Sequence, residues 1–167
     1  VPRGGYLWLE NALTMAGRSS ASPGLYRWAT SLALGCYWLI MFTGTHWPHV
    51  SLEGYPHNFD KVLHFTGYAG FGFLIALWTT VRRRFGLREF AAGFAVIFLY
   101  AIFDEVTQPY FGRDCEFGDM VADWIGGTCG MGVFLLGFAA IRKLWGSRVP
   151  ALQYPVSVES TRRVDES

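Results

Sequence analysis

The stretch FAAGFAVIFLYAIFDE, residues 90–105, decides the fold. From Phe90 to Phe103 the run carries no charge, and it then meets two adjacent carboxylates, Asp104 and Glu105. As a helix those fourteen residues reach about 21 Å at ~1.5 Å per residue, against a hydrocarbon layer roughly 30 Å thick. Both acids then fall inside one leaflet of a membrane. A carboxylate at that depth faces a partner or a water-filled cavity rather than lipid.

The rest of the chain agrees with a membrane reading. Of 167 residues, 51% are hydrophobic and only 16% charged, against about 25% charged in a typical soluble domain. Three further apolar stretches run from about Leu25 to Thr45, from Val62 to Val81 and from Met120 to Ile141. Each supplies the ~20 residues that a spanning helix needs. The first is too long for a signal peptide and lacks a small-residue cleavage site. Arg82, Arg83, Arg84 and Arg88 crowd the connection between the second and third spans, Arg142, Lys143 and Arg148 follow the fourth, and Arg18 and Arg27 flank the first. The other two connections hold only Lys61 and Arg113. The positive-inside rule then puts both termini in the cytoplasm. The expectation is an all-α membrane protein, a four-transmembrane-helix bundle with a polar cavity at its outer-leaflet end.

Three regions follow. Residues 1–24 form an N-terminal segment, whose first fourteen read as a tag remnant opening on VPRG. Residues 25–145 hold the four spans, and 146–167 are a polar cytoplasmic tail without apolar periodicity. The three cysteines make no even framework and no zinc spacing, so Cys36 and Cys129 read as small packing residues.

All the acids of the spans and outer loops gather at the outer end, and all four histidines lie on that side. Asp60 and His64 are four residues apart and share a helix face, as do Asp104 and Gln108. Asp119 and Asp123 share a face that continues through Gly126 and Gly130, a small-residue stripe that admits a second helix at close range. The order D-K-x-x-H-F with a following Tyr68, then D-E-x-x-Q, then Arg113, then D-x-x-x-D-x-x-G, resembles the VanZ-like family of small bacterial membrane proteins. The resemblance covers Asp60 to Gly130. It implies a bacterial cytoplasmic membrane with the polar cluster facing outward, and Asp60, His64, Asp104, Glu105, Gln108, Arg113 and Asp119 as the family positions. Members often have asparagine where this chain has Asp123. The family takes its name from a member linked to teicoplanin resistance, which specifies no reaction.

Each residue also has a plainer role available. Asp60 and Asp119 suit helix N-caps, His64 a hydrogen-bonded pair with Asp60, Gln108 a helix end before Pro109, and Arg113 a counter-ion to its neighbour Asp114. His46, His49 and His57 read as surface residues of the first outer loop, and Glu53, Asp114 and Glu116 as solvated. Capping alone does not bring acids, a histidine, a glutamine and an arginine to one depth on three helices.

No serine or cysteine sits beside a base in a recognisable motif, and GYAGFG, residues 67–72, lies in an apolar helix and reads as packing. The basic residues lie at the inner face, where they suit anionic lipid rather than nucleic acid. Clustered, partly desolvated carboxyls cannot all ionise together, and an unlike pair is what glycosidic hydrolysis requires. The leading expectation is an intramembrane glycosyl hydrolase that removes the sugar head group of a glycolipid. Glu105, with Asp104 or Asp119, would carry the reaction. Asp60 and His64 would position water or a sugar hydroxyl, and Arg113, Gln108 and Asp123 would bind the head. Tyr68 and Trp124 would give a stacking surface. No cofactor is required on this reading. Two alternatives use the same residues: a divalent-cation phosphatase acting on a lipid-linked phosphate, or a non-enzymatic binder of a glycopeptide or cell-wall lipid precursor.

Overall fold

The computed structural model describes residues 23–48 and 59–145. The expected N-terminal segment, the outer-loop residues His49, Glu53 and His57, and the tail lie outside the described residues. Four helices account for nearly all of the remainder: α1 Pro23–Thr45, α2 Phe59–Thr80, α3 Leu87–Thr107 and α4 Phe117–Trp145. A 3-10 turn, Gln108–Phe111, follows α3. No strand occurs among the described residues. Three stretches are long and apolar enough to cross a membrane: Phe59–Thr80, Leu87–Phe111 and Phe117–Leu144. Helix α1, at 23 residues, matches them in length. It also carries Arg27, Thr30, Ser31, Thr43 and Thr45, which lower its hydropathy.

Helix α3 is longer than its uncharged run. It begins at Leu87, where Gly86 caps it and the Glu89 carboxylate accepts the Gly86 N–H at 3.2 Å. It continues through Asp104 and Glu105 to Thr107, and stops because Pro109 cannot continue the ladder. The two acids therefore sit within the last turn of the helix.

Helices α2 and α4 form the tightest seam. A methyl added at Gly126 would strike the Phe65 carbonyl, one at Gly130 the Ala69 carbonyl, and one at Gly72 the Gly127 carbonyl. The glycine stripe on α4 thus lets the two backbones touch, and the helix it admits is α2. Lys61 faces Asp119, His64 faces Asp123 and Phe73 faces Phe134, so the pair runs in parallel. Helix α3 packs on both from the antiparallel direction, with Ile97 set against Gly127. The apolar core is Met41, Tyr68, Phe71, Ile75, Ala76, Ile97, Ala101, Met131 and Phe134.

Helix α1 is attached differently. The Tyr37 hydroxyl donates to the Gly67 carbonyl at 2.9 Å. At the other end the Arg82 guanidinium donates to the Arg27 carbonyl and to the hydroxyls of Thr30 and Ser31, while lying over the Trp78 ring at 4.2 Å. Cys36 and Cys129 are exposed on their helices, so neither is the packing residue expected of it, and Cys115 is exposed in the connection between the 3-10 turn and α4. Small size made the packing reading of Cys36 and Cys129 attractive, but both side chains lie on exposed positions of their helices.

Candidate functional site

At the common end where α1 and α3 finish and α2 and α4 start, polar side chains are buried among apolar ones. Asp104, Glu105 and Asp123 are 0% exposed, Gln108 1%, Asp119 4% and His64 5%. Three carboxyls hidden completely from solvent are rare in any fold and need partners.

The two neighbours on α3 hold different hydrogen-bond partners. Asp104 turns toward α1, where its Oδ1 accepts the Thr45 hydroxyl at 2.9 Å and lies 3.5 Å from His46 Nδ1. The Tyr100 hydroxyl is at 3.5 Å from the same oxygen. Glu105 turns toward α4. Its Oε1 accepts Gln108 Nε2 at 3.0 Å, its Oε2 accepts the Glu116 backbone N–H at 2.9 Å, and Oε1 is 3.9 Å from His64 Nδ1. The ~100° between successive helical residues makes this division possible.

His64 pairs with Asp123 at 3.0 Å, across the α2–α4 seam, and not with Asp60. Asp60 is instead held by Lys61 at 3.2 Å. Lys61 is the cation of the rim: its Nζ also reaches Glu116 at 2.8 Å and Asp119 at 3.1 Å. Neither Asp60 nor Asp119 is an N-cap, because both lie inside the first turn of their helices. The Asp119 N–H itself donates to the Glu116 carbonyl at 3.0 Å.

Other expectations are corrected by this geometry. The Gln108 side chain serves Glu105 rather than Asp104, while its backbone N–H closes α3 on the Asp104 carbonyl. Arg113 donates its backbone N–H to the Gln108 carbonyl at 3.3 Å, and its side chain pairs with no carboxylate among the described residues, Asp114 included. Tyr68 is wholly buried against Tyr100 and Phe71, and Trp124 stacks on Phe98 at 4.7 Å. Tyr68 packs helices together and offers no open stacking face, while Trp124 packs on Phe98 and is only partly buried. Glu116 is exposed but ion-paired.

His46 is the largest miss. Read as a surface residue, it is 4% exposed, with Nδ1 on the Phe42 carbonyl at 3.0 Å and Nε2 joined to the Thr107 hydroxyl at 2.8 Å. Its ring stacks on Phe42 at 4.1 Å. The sequence signal lay in Thr45 and His46 together, two polar groups ending an apolar helix at the depth of Asp104. Lys61 was likewise visible as the lone cation between two acidic helix heads.

Donor atoms of His64, Glu105 and Asp119 lie within 4.8 Å of one another, and so do donor atoms of His64, Asp104 and Asp123. A third such group, Asp60, Glu116 and Asp119, occupies the rim around Lys61. Either buried group has the donor set of a cation site, oxygens with one imidazole.

An all-helical membrane protein with a buried carboxyl–histidine cluster at one end of its bundle is the class that this fold and site define. Residues 14–139 match the VanZ/LLP1 family, and the chain belongs to it. The match takes in α1 and most of α4, well beyond the Asp60–Gly130 segment whose motifs carry the resemblance. No curated protein and no solved structure matches the chain.

Proposed function

We propose that this protein is a four-span bacterial inner-membrane hydrolase, with both termini cytoplasmic, that removes the sugar head group of a glycolipid drawn from the outer leaflet. The observation that carries this reading is a pair of buried carboxyls in unlike surroundings. Glu105 is held by two neutral donors, Gln108 Nε2 and the Glu116 N–H. Asp119 lies 3.1 Å from the Lys61 ammonium. Their donor oxygens lie within 4.8 Å of one another. Retaining glycosidases hold their carboxyls about 5–5.5 Å apart and inverting ones about 6.5–9.5 Å apart, and the reaction proposed is the retaining one.

In that reaction the Asp119 carboxylate bonds to the anomeric carbon as the bond to the lipid oxygen breaks. Glu105 gives its proton to that oxygen, and the lipid leaves as an alcohol. A water then attacks the same carbon, loses its proton to Glu105 and releases Asp119. Gln108 keeps Glu105 aimed, and Arg113, free of any described carboxylate, is available to a polar head. Asp104, committed to Thr45 and His46, is the weaker partner for Glu105.

The test is product analysis by mass spectrometry on purified protein given a panel of glycolipids and lipid-linked phosphates, with and without chelator. Free sugar from wild type, lost in Glu105→Gln and Asp119→Asn, is the expected result. Free phosphate abolished by chelator would replace this reading with metal-dependent phosphoester hydrolysis. Binding of a lipid with no product from any substrate would leave a binding protein in its place.

A further inference from the structure

Among the buried polar atoms without a hydrogen-bond partner are Asp104 Oδ2, Asp123 Oδ2, Gln108 Oε1 and the Tyr68 hydroxyl. Their side chains are 0%, 0%, 1% and 0% exposed. The first three are acceptors. Orphaned acceptors on buried carboxylates are costly, and native proteins keep few of them. Charge adds to the problem. The outer cluster gathers Asp60, Asp104, Glu105, Glu116, Asp119 and Asp123, and its one lysine, Lys61, is already shared by the three acids of the rim. The inner acids are left with histidines alone, His46 by Asp104 and His64 by Asp123.

We propose that His64, Asp104 and Asp123 bind one divalent transition-metal cation, of the Mn²⁺ or Zn²⁺ type, through the free carboxylate oxygens of Asp104 and Asp123. Two independent observations meet here: donor atoms from these three residues within 4.8 Å of one another, and unpartnered oxygens on both carboxylates. Oxygen donors with an imidazole suit Mn²⁺ or Zn²⁺ better than Ca²⁺ or Mg²⁺, which take oxygen alone. The first-turn acid Asp119 and the rim lysine take no part. The cation would tie α2, α3 and α4 together at their polar end, as one ligand comes from each. It does not rest on the proposed reaction, since Glu105 and Asp119 stay outside the ligand set.

The experiment is calorimetric titration of the purified full chain in detergent with Mn²⁺ alone and Zn²⁺ alone, after stripping with chelator. One equivalent per chain is expected for at least one of the two ions. Asp104→Asn and Asp123→Asn should each weaken it by tenfold or more, while Asp60→Asn and Glu116→Gln leave it within twofold. Should the Asn variants not fold, pulsed paramagnetic resonance of the Mn²⁺-loaded wild type supplies the second readout. A nitrogen modulation absent in His64→Gln is then expected. A folded wild type that binds neither ion would overturn the proposal and assign the orphaned oxygens to protons or buried water. Binding lost in the Asp60 and Glu116 variants but kept in the Asp104 and Asp123 ones would overturn it too, by moving the ion to the rim. Glycolipid turnover without metal binding defeats this inference alone, and metal binding without turnover defeats only the proposed reaction.

Discussion

The α2–α4 seam and the seat of α1 are two solutions to the same problem of joining helices where water gives no hydrophobic drive. At the seam, glycines at 72, 126 and 130 bring backbone against backbone, and the registry of the two helices is set by shape. At the α1 seat, the backbones stay apart and side chains reach across: Tyr37 to Gly67, Thr45 to Asp104, Arg82 to Arg27 and Ser31. The difference teaches where precision is held. The pairs that bring the candidate reacting and ligating groups of α2 and α4 together depend on the seam, and α1 acts as a polar clamp on Asp104 from the side.

Four perturbations would break or sharpen that contrast. The largest effect is expected from His64→Ala, which leaves Asp123 buried without its partner. Breaking a buried pair in this way costs about 3–5 kcal/mol, and the unfolding midpoint in detergent should fall accordingly. Adding Asp123→Asn should recover part of the loss, and a purely additive double variant would show that the two do not interact. Next comes Gly130→Val, which drives a side chain into the Ala69 carbonyl. Because backbone cannot rotate aside, the cost should lie near the ~3 kcal/mol top of the usual overpacking range. Crosslinking between cysteines placed at Phe73 and Phe134, 5.2 Å apart as rings, should weaken in parallel. Unchanged crosslinking would mean that the glycines do not set the registry.

On the α1 side, Thr45→Val removes the hydroxyl that Asp104 accepts at 2.9 Å. A hydrogen bond to a charged group is worth about 1.5–3 kcal/mol, and the loss should appear in the same unfolding assay without disturbing the His64–Asp123 pair. The smallest effect is expected from Tyr37→Phe, about 0.5–1.5 kcal/mol for one neutral hydrogen bond. If Tyr37→Phe proved costlier than Gly130→Val, the contrast between seam and clamp would be inverted.

Much of this arrangement is written along the chain, because the causes are local. Apolar runs of spanning length predict helices, Pro109 ends α3, and the period of the α4 glycines marks a contact face. The burial of Asp104 and Glu105 also followed from one local fact, that the apolar run before them is too short to lift them out of a bilayer. Burial of His46 did not follow, because it depends on Phe42 stacking above it and Thr107 arriving from another helix. Asp60 with His64 was a fair reading of one helix alone, and it failed because Asp60 is taken by its neighbour Lys61 and His64 by Asp123 from another helix.

By itself, then, the sequence determined the class, the helices, the gathering of the polar residues at one end of the helices and the family motifs. Each depends on composition and spacing within single segments. Only the tertiary structure decided which carboxyl meets which partner: His64 with Asp123, Asp104 with Thr45, Glu105 with Gln108 and the head of α4. Those pairings depend on the axial slide and rotation of one helix against another. For α2 against α4, backbone contact at Gly126 and Gly130 sets both quantities, and helix periodicity carries information about neither.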